Sequence, residues 1–237
     1  MSAFAAEWVK VRTLRSTFLT LGATVAVGGA LAFVVAAGMR NVEAAHFDAV
    51  FATFYSLTLA QLALVVFGVF TVGGEYAGGT IRPTLAAVPD RRRYYLAKVA
   101  VIGACAAVTS ALTVGVAFAV GSVELGARRM GPAPGPIAGA FLYLLLITLF
   151  AAGVAQLLRG STAALAVLMP LFFLGSQGLG NVPGVRAVAQ FLPDQAGLVV
   201  LRLYDRGFGP WGGLGILALW TAAALVGGYL TLRRRDA

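Results

Sequence analysis

Charge is scarce in this chain and missing altogether from six long stretches. Among 237 residues there are 18 Lys or Arg and nine Asp or Glu, and the uncharged runs cover residues 16–39, 49–74, 99–123, 130–158, 160–185 and 207–232. Each run holds 24 to 29 residues. A helix needs about 20 apolar residues to cross a hydrocarbon layer about 30 Å thick, so every run is long enough to span a bilayer. A water-soluble core of this size would need polar helix faces, and these runs have none. The mean hydropathy of +0.87 points the same way. A soluble enzyme is thereby excluded, and six spans leave no length for a separate soluble catalytic domain.

Reactive groups are just as rare. There is one cysteine, Cys105, and one histidine, His46. No internal disulfide and no thiolate metal cluster can form, and His46 beside Asp48 reads as a solvated loop residue, so no metal site is expected. Inside the six runs there is no Asp, Glu, Lys, Arg or His. That removes the proton relay of an ion-coupled pump and the acid pairs or Ser–His arrangement of an intramembrane hydrolase. Sodium coupling through carbonyls and hydroxyls stays open. Gln61, Thr109, Gln156 and Gln177 suit bonds between helices better than substrate contacts. A phosphate-binding P-loop needs Gly directly before Lys. The two lysines, Lys10 and Lys98, follow Val9 and Ala97, so the chain has no ATPase site of its own. Uphill work would need energy from a partner.

What is present is ordered. The runs predict transmembrane helices at 18–38, 51–73, 95–121, 137–158, 163–179 and 211–232, an all-α integral membrane protein forming one domain over 1–237. The first run is longer than the ~7–15 residues of a secretory signal's apolar region and reads as an uncleaved span. Cytoplasmic loops collect Lys and Arg. With the N-terminus inside, 12 basic residues fall inside and six outside, so both termini are expected in the cytoplasm. The net charge of +9 then reflects topology and not nucleic-acid binding. Arg outnumbers Lys 16 to two, a composition suited to a GC-rich bacterial genome.

Before the first span, Phe4, Trp8 and Val11 recur at helical spacing while Glu7, Lys10 and Arg12 point elsewhere. Residues 1–16 thus read as an amphipathic helix in the inner interface, with Trp8 at headgroup level. A frayed cytoplasmic tail is the alternative. Pro132, Pro134 and Pro136 predict an extended outer loop. Residues 181–210 form the longest outer connection, in which 185–192 and 195–204 are apolar enough for short helices broken by Pro193. Arg186, Asp194, Arg202, Asp205 and Arg206 argue against a further full span. An outer helical hairpin dipping toward the membrane is expected.

The richest segment is the loop 74–94 with its flanks. Glu75 ends the second span, Gly78 and Gly79 permit a sharp turn, and Thr80 can cap a new helix. Residues 81–87 are a short apolar piece carrying Arg82, with Pro83 in an early turn and Pro89 as a stop. Asp90 to Arg93 form a charged rim, and Tyr94 and Tyr95 open the third span. A short helix on the cytoplasmic face, rich in cations, suits docking into a soluble partner. It also suits a loop that only orients the protein and binds anionic lipid. The Gly turn, apolar heptapeptide and Pro stop favour docking.

Four motifs carry a family likeness. The N-terminal Glu7-Trp8-x-Lys10, with Thr13, Arg15 and Ser16, resembles an interfacial connecting helix. Glu75-Tyr76-x-x-Gly79-Thr80-Ile81-Arg82, followed by Leu85, Pro89, Arg91, Arg93 and Lys98, is similar to the loop after the second span in type-2 ABC exporter permeases. Leu192-Pro193-x-x-Ala196-Gly197 resembles the outer hairpin before their last span, and Arg233-Arg234-Arg235-Asp236 a familiar ending. The chain therefore resembles a bacterial ABC exporter permease of the type-2 family. The resemblance implies a permease that dimerises with itself or a related permease, with an ABC ATP-binding subunit beneath each copy. ATP and Mg would sit on that subunit, and this chain would bind no cofactor. The 81–87 helix would transmit its closure, Glu75 would hold the junction, and hydrophobic or amphipathic substrates such as drugs, antibiotics or peptides would be exported. Efflux and antibiotic resistance, a multi-pass place in the cell membrane and contact with lipids follow from the same likeness. A non-transporting membrane anchor, or a carrier or channel needing no ATPase, are the competing readings.

Overall fold

The computed structural model describes residues 3–13, 15–43, 47–88, 90–131, 133–177, 184, 186–201 and 207–235. These fold into helices Ala3–Thr13 (α1), Arg15–Met39 (α2), Ala49–Phe54 (α3), Leu57–Ala77 (α4), Ile81–Ala87 (α5), Arg91–Leu125 (α6), Pro134–Leu158 (α7), Ser161–Gln177 (α8), Arg186–Ala189 (α9), Pro193–Leu198 (α10) and Gly209–Arg235 (α11). No strand occurs among the described residues. The all-α membrane architecture is as expected.

Five segments are long and apolar enough to cross a bilayer: Arg15–Met39, Ala49–Ala77, Arg91–Arg128, Pro134–Leu158 and Gly209–Arg234. The fifth span expected from the sequence, 163–179, corresponds to α8, which runs 17 residues with Pro170 inside it. At 1.5 Å per residue that is roughly 26 Å, slightly short of a full crossing, and residues 178–183 lie outside the described ones. The chain is a multi-pass membrane protein, with five such spans and one shorter apolar helix among the described residues.

The prolines before α7 behave differently from expectation. Pro134 and Pro136 lie in the first turn of α7 and not in an extended loop, with Ala133 as the extended residue before it. A first-turn proline forfeits no helical hydrogen bond, because those N–H groups have no partner within the helix anyway. Pro132 lies outside the described residues.

In the packed bundle α7 lies against α11 and α4, while α2 lies against α6 and α4. Phe54, Leu64, Phe67, Ile102, Leu144, Ile147, Leu168 and Phe172 fill its centre. Lipid chains are as apolar as leucine, so packing and interhelical hydrogen bonds hold such a bundle together. The Tyr143 hydroxyl donates to Gln61 Oε1, tying α7 to α4. The Thr221 hydroxyl reaches Leu146 O at 3.2 Å, tying α11 to α7. The Gln156 amide donates to the Tyr76 hydroxyl at 2.6 Å. The interhelical reading of Gln61 and Gln156 is thereby met. On the outside, Phe18, Leu19, Phe33 and Val34 of α2 and Leu219 and Val226 of α11 are exposed, a surface suited to lipid.

Candidate functional site

One end of the bundle gathers α1, the close of α4, all of α5, the start of α6 and the close of α11. Its geometry begins with two glycines. Gly78 caps α4 and Gly79 follows at φ +66, the left-handed conformation a glycine adopts without strain. Gly79 N–H donates to Tyr76 O at 3.2 Å and Thr80 N–H to Glu75 O at 3.0 Å. These two bonds make a Schellman ending, which satisfies carbonyls that α4 would otherwise leave open. The chain reverses there and enters α5 within three residues. Thr80 occupies the N-cap of α5, but its side chain does not cap as the sequence suggested. Its hydroxyl lies 3.4 Å from Glu75 O instead. Asp90 does cap: its carboxylate accepts from Arg92 N at 3.0 Å and Arg93 N at 3.1 Å, opening α6.

Within α5 the residues divide by face. Ile81 is buried and Leu85 half-buried, packed in an apolar cluster with Tyr94 and Tyr95 of α6 and Leu232 of α11. Arg82, Pro83 and Ala86 are exposed. Arg91 hydrogen-bonds Leu232 O at 3.2 Å and Arg233 O at 2.8 Å, so it closes the end of α11, while Arg93 is exposed. Pro89 lies outside the described residues.

Behind α5 sits a charge quartet. Glu75 Oε1 receives Lys10 at 2.7 Å and Oε2 lies 2.6 Å from the Lys98 ammonium. Glu7 Oε1 receives Lys10 at 2.7 Å and Oε2 lies 3.4 Å from Lys98. The Tyr94 hydroxyl donates to Glu75 Oε2, and the Lys98 ammonium lies 5.0 Å from the centre of the Tyr94 ring. Glu7, Glu75 and Lys98 are nearly inaccessible, whereas the Lys10 side chain is 37% exposed. Two carboxylates and two ammonium groups cancel, which is the condition for burying charge at tolerable cost. Burial alone would lower the Lys10 pKa, but its hydrogen bonds to Glu7 and Glu75 outweigh this and raise it. Three elements separated in sequence, α1, α4 and α6, are locked by these contacts.

The quartet corrects the reading of α1. Glu7 was expected to face away from Phe4, Trp8 and Val11; it is 3% exposed on the buried side with Val11, while Trp8 and Phe4 are 38% and 46% exposed and stack on each other. Having Lys10 and Lys98 as partners makes burial of Glu7 possible. Val11 is buried as expected, and Arg15 is exposed at the start of α2. Tyr94, read from the sequence as an interface aromatic, is a buried donor to Glu75. Arg159 also belongs to this end: its guanidinium lies 5.5 Å from the centre of the Tyr76 ring.

At the opposite end, α9 and α10 precede the last span. Pro193 opens α10 and does not merely separate two helices, and Val199–Leu201 continue as a 3₁₀ turn. Residues 185 and 202–206 lie outside the described ones. Leu192 is half-buried, and Pro193, Ala196 and Gly197 are buried. A Cβ on Gly197 would lie 2.6 Å from the Tyr143 ring, so only glycine admits this contact. Asp194 is fully buried, a residue whose role sequence reasoning missed beyond its charge.

The model of a family described as ABC-2 family transporter protein matches residues 3–176. The chain belongs to this family. An ABC-2 permease is the membrane subunit of an ABC transporter and pairs with an ABC ATP-binding subunit. The matched residues include α1, α5 and all four members of the quartet, whereas α10 and α11 lie beyond them. Comparison with curated proteins finds no match.

Proposed function

We propose that this permease is the passive gate of an ATP-driven exporter, working on hydrophobic or amphipathic substrates such as drugs, antibiotics or peptides. The α1 end faces the cytoplasm of a bacterial cell, with both termini inside the plasma membrane and a second permease copy beside it. The exposed face of α5, with Arg82, docks on the ATP-binding subunit, and Arg91 and Arg93 rim the contact. Closure of that subunit on ATP and Mg pushes α5. Because Glu75 joins α4 to α1 and α6 one turn before α5, the push moves three helices together.

One observation carries this reading: Glu75 holds Lys10, Lys98 and Tyr94 at once, directly before the Schellman turn into α5. A loop that only set topology would not need its last spanning residue clamped to two other helices. The test is Arg82→Glu and Glu75→Ala in the complex with its ATP-binding subunit, reconstituted in liposomes. Both variants insert; Arg82→Glu lowers transport at least about tenfold by replacing a cation with an anion in a charge-assisted contact, and Glu75→Ala leaves ATP hydrolysis that no longer drives transport. Unaltered transport by both would overturn the role of this end.

A further inference from the structure

A half-enclosed cavity of about 530 Å³ lies beside the quartet, between α1, the start of α2 and the last turns of α4. That volume is within the ~300–1,000 Å³ of small-molecule sites. The chemistry of its walls is one-sided. Thr13 donates its hydroxyl proton to Val9 O at 3.0 Å, Thr71 to Phe67 O at 2.8 Å, and Thr80 lies 3.4 Å from Glu75 O. A hydroxyl has one proton to give, so these three can offer a guest only lone pairs. Glu7 and Glu75 add carboxylate oxygens to the same walls. Against them stand two donors among the described lining residues, Lys10 and the Ser16 hydroxyl. The apolar part comes from Val11 and the exposed ring of Phe70, and a narrow crevice continues past Phe67 and Thr20 between α2 and α4.

The two lysines of the quartet are not equivalent. Lys98 is 2% exposed between the Glu7 and Glu75 carboxylates, while the Lys10 side chain is 37% exposed on a flexible stem and borders the cavity. Lys10 is the member that can leave. We propose that the cavity binds an organic ammonium carried on an apolar body, whose cation replaces the Lys10 ammonium against Glu7 and Glu75 while Lys10 turns to water. The exchange keeps the charge balance, with two carboxylates facing Lys98 and the guest. The Lys10 ammonium lies 6.0 Å from the Tyr94 ring centre, so a cation in its place gains the same π face. The guest's apolar body lies on Phe70 and Val11. This rests on the reading of the chain as a permease for amphipathic substrates and narrows that class to cationic ones.

The test uses the full chain with its ATP-binding subunit in nanodiscs of zwitterionic lipid, without nucleotide. Three probes of one shape, 4-phenylbutylamine, 4-phenylbutanol and 4-phenylbutyrate, are titrated by calorimetry. The amine binds one per chain, at least about tenfold tighter than the alcohol, as a charge-assisted contact requires, and the carboxylate does not bind. Lys10→Met removes the competing cation and tightens the amine several-fold; Phe70→Ala weakens it. Equal affinity for all three probes, preference for the carboxylate, or loss of amine binding in Lys10→Met would each overturn the proposal. Should Lys10→Met not fold, the wild-type series and Phe70→Ala still decide it. Probe binding is read without transport. Uncoupled ATPase with intact amine binding refutes only the gate mechanism, and coupled transport without amine binding refutes only the cavity.

Discussion

The two ends of this molecule bury charge in opposite ways. At the α1 end, Glu7 and Glu75 are buried with Lys10 and Lys98 between them and Tyr94 as a further donor. At the α10 end, Asp194 is fully buried and pairs with no cation among the described residues, its carboxylate meeting only nearby backbone N–H groups. Burial pushes its pKa up to about 7, with the backbone N–H groups of Gln195 and Asp194 pulling the other way. A neutralised cluster can be rigid and permanently charged. A buried acid with no cation beside it among the described residues instead discharges by taking up a proton. One end ties three helices together through paired charge, and the other packs tightly around a single carboxyl.

The largest effect should come from breaking the neutrality of the quartet. Lys98→Met leaves two buried carboxylates with only the half-exposed Lys10, and loss of one partner of a buried pair costs about 3–5 kcal/mol. A large drop in the thermal unfolding midpoint in detergent is the expected reading; a midpoint unchanged from wild type would mean that the quartet is not buried as described.

Next comes the lone acid. The native pKa of Asp194 is raised to about 7 from 3.8. Its contribution to stability is therefore fully present below about pH 4 and is lost as pH rises through 7. Asp194→Asn should remove this dependence and stabilise the protein above pH 7 by on the order of 4 kcal/mol. Thermal unfolding of wild type and Asp194→Asn from pH 4 to pH 8 checks the sign, and an advantage of Asp194→Asn that does not grow with pH would contradict it.

Smaller still is overpacking at the hairpin. Gly197→Ala places a methyl against Tyr143 and should cost about 1–3 kcal/mol, with no change in how ATP hydrolysis is coupled. Smallest is the stability effect of Arg82→Glu, within about 0.5 kcal/mol because the side chain is exposed. The same substitution is expected to lower coupled transport at least about tenfold, and measuring both on one preparation separates docking from folding.

Five of the six expected spans were legible because a bilayer demands long uncharged runs, and a gap between charges shows directly in a sequence; the fifth run, around α8, shows that an uncharged run does not fix the helix length. So was the turn before α5, since Gly78 and Gly79 together can do little else at a helix end. The quartet was not. Glu7 and Lys98 stand 91 positions apart, and nothing local says that a charged residue of an interfacial helix points inward. Tyr94 looked like any aromatic at a membrane surface until its partner was in place. Pro134 and Pro136 were misread because a proline run suits both a loop and the first turn of a helix. Only the tertiary course of the chain decides between them.

The claim that force enters through α5 is tested most directly by photo-crosslinking. A photoreactive residue is placed at position 82, and another as control at position 188, whose Val188 side chain is 74% exposed at the opposite end. Position 82 should crosslink to the ATP-binding subunit with a yield that changes on adding ATP, and position 188 should not. Crosslinks from position 82 to lipid alone, or a yield indifferent to ATP, would contradict the mechanism.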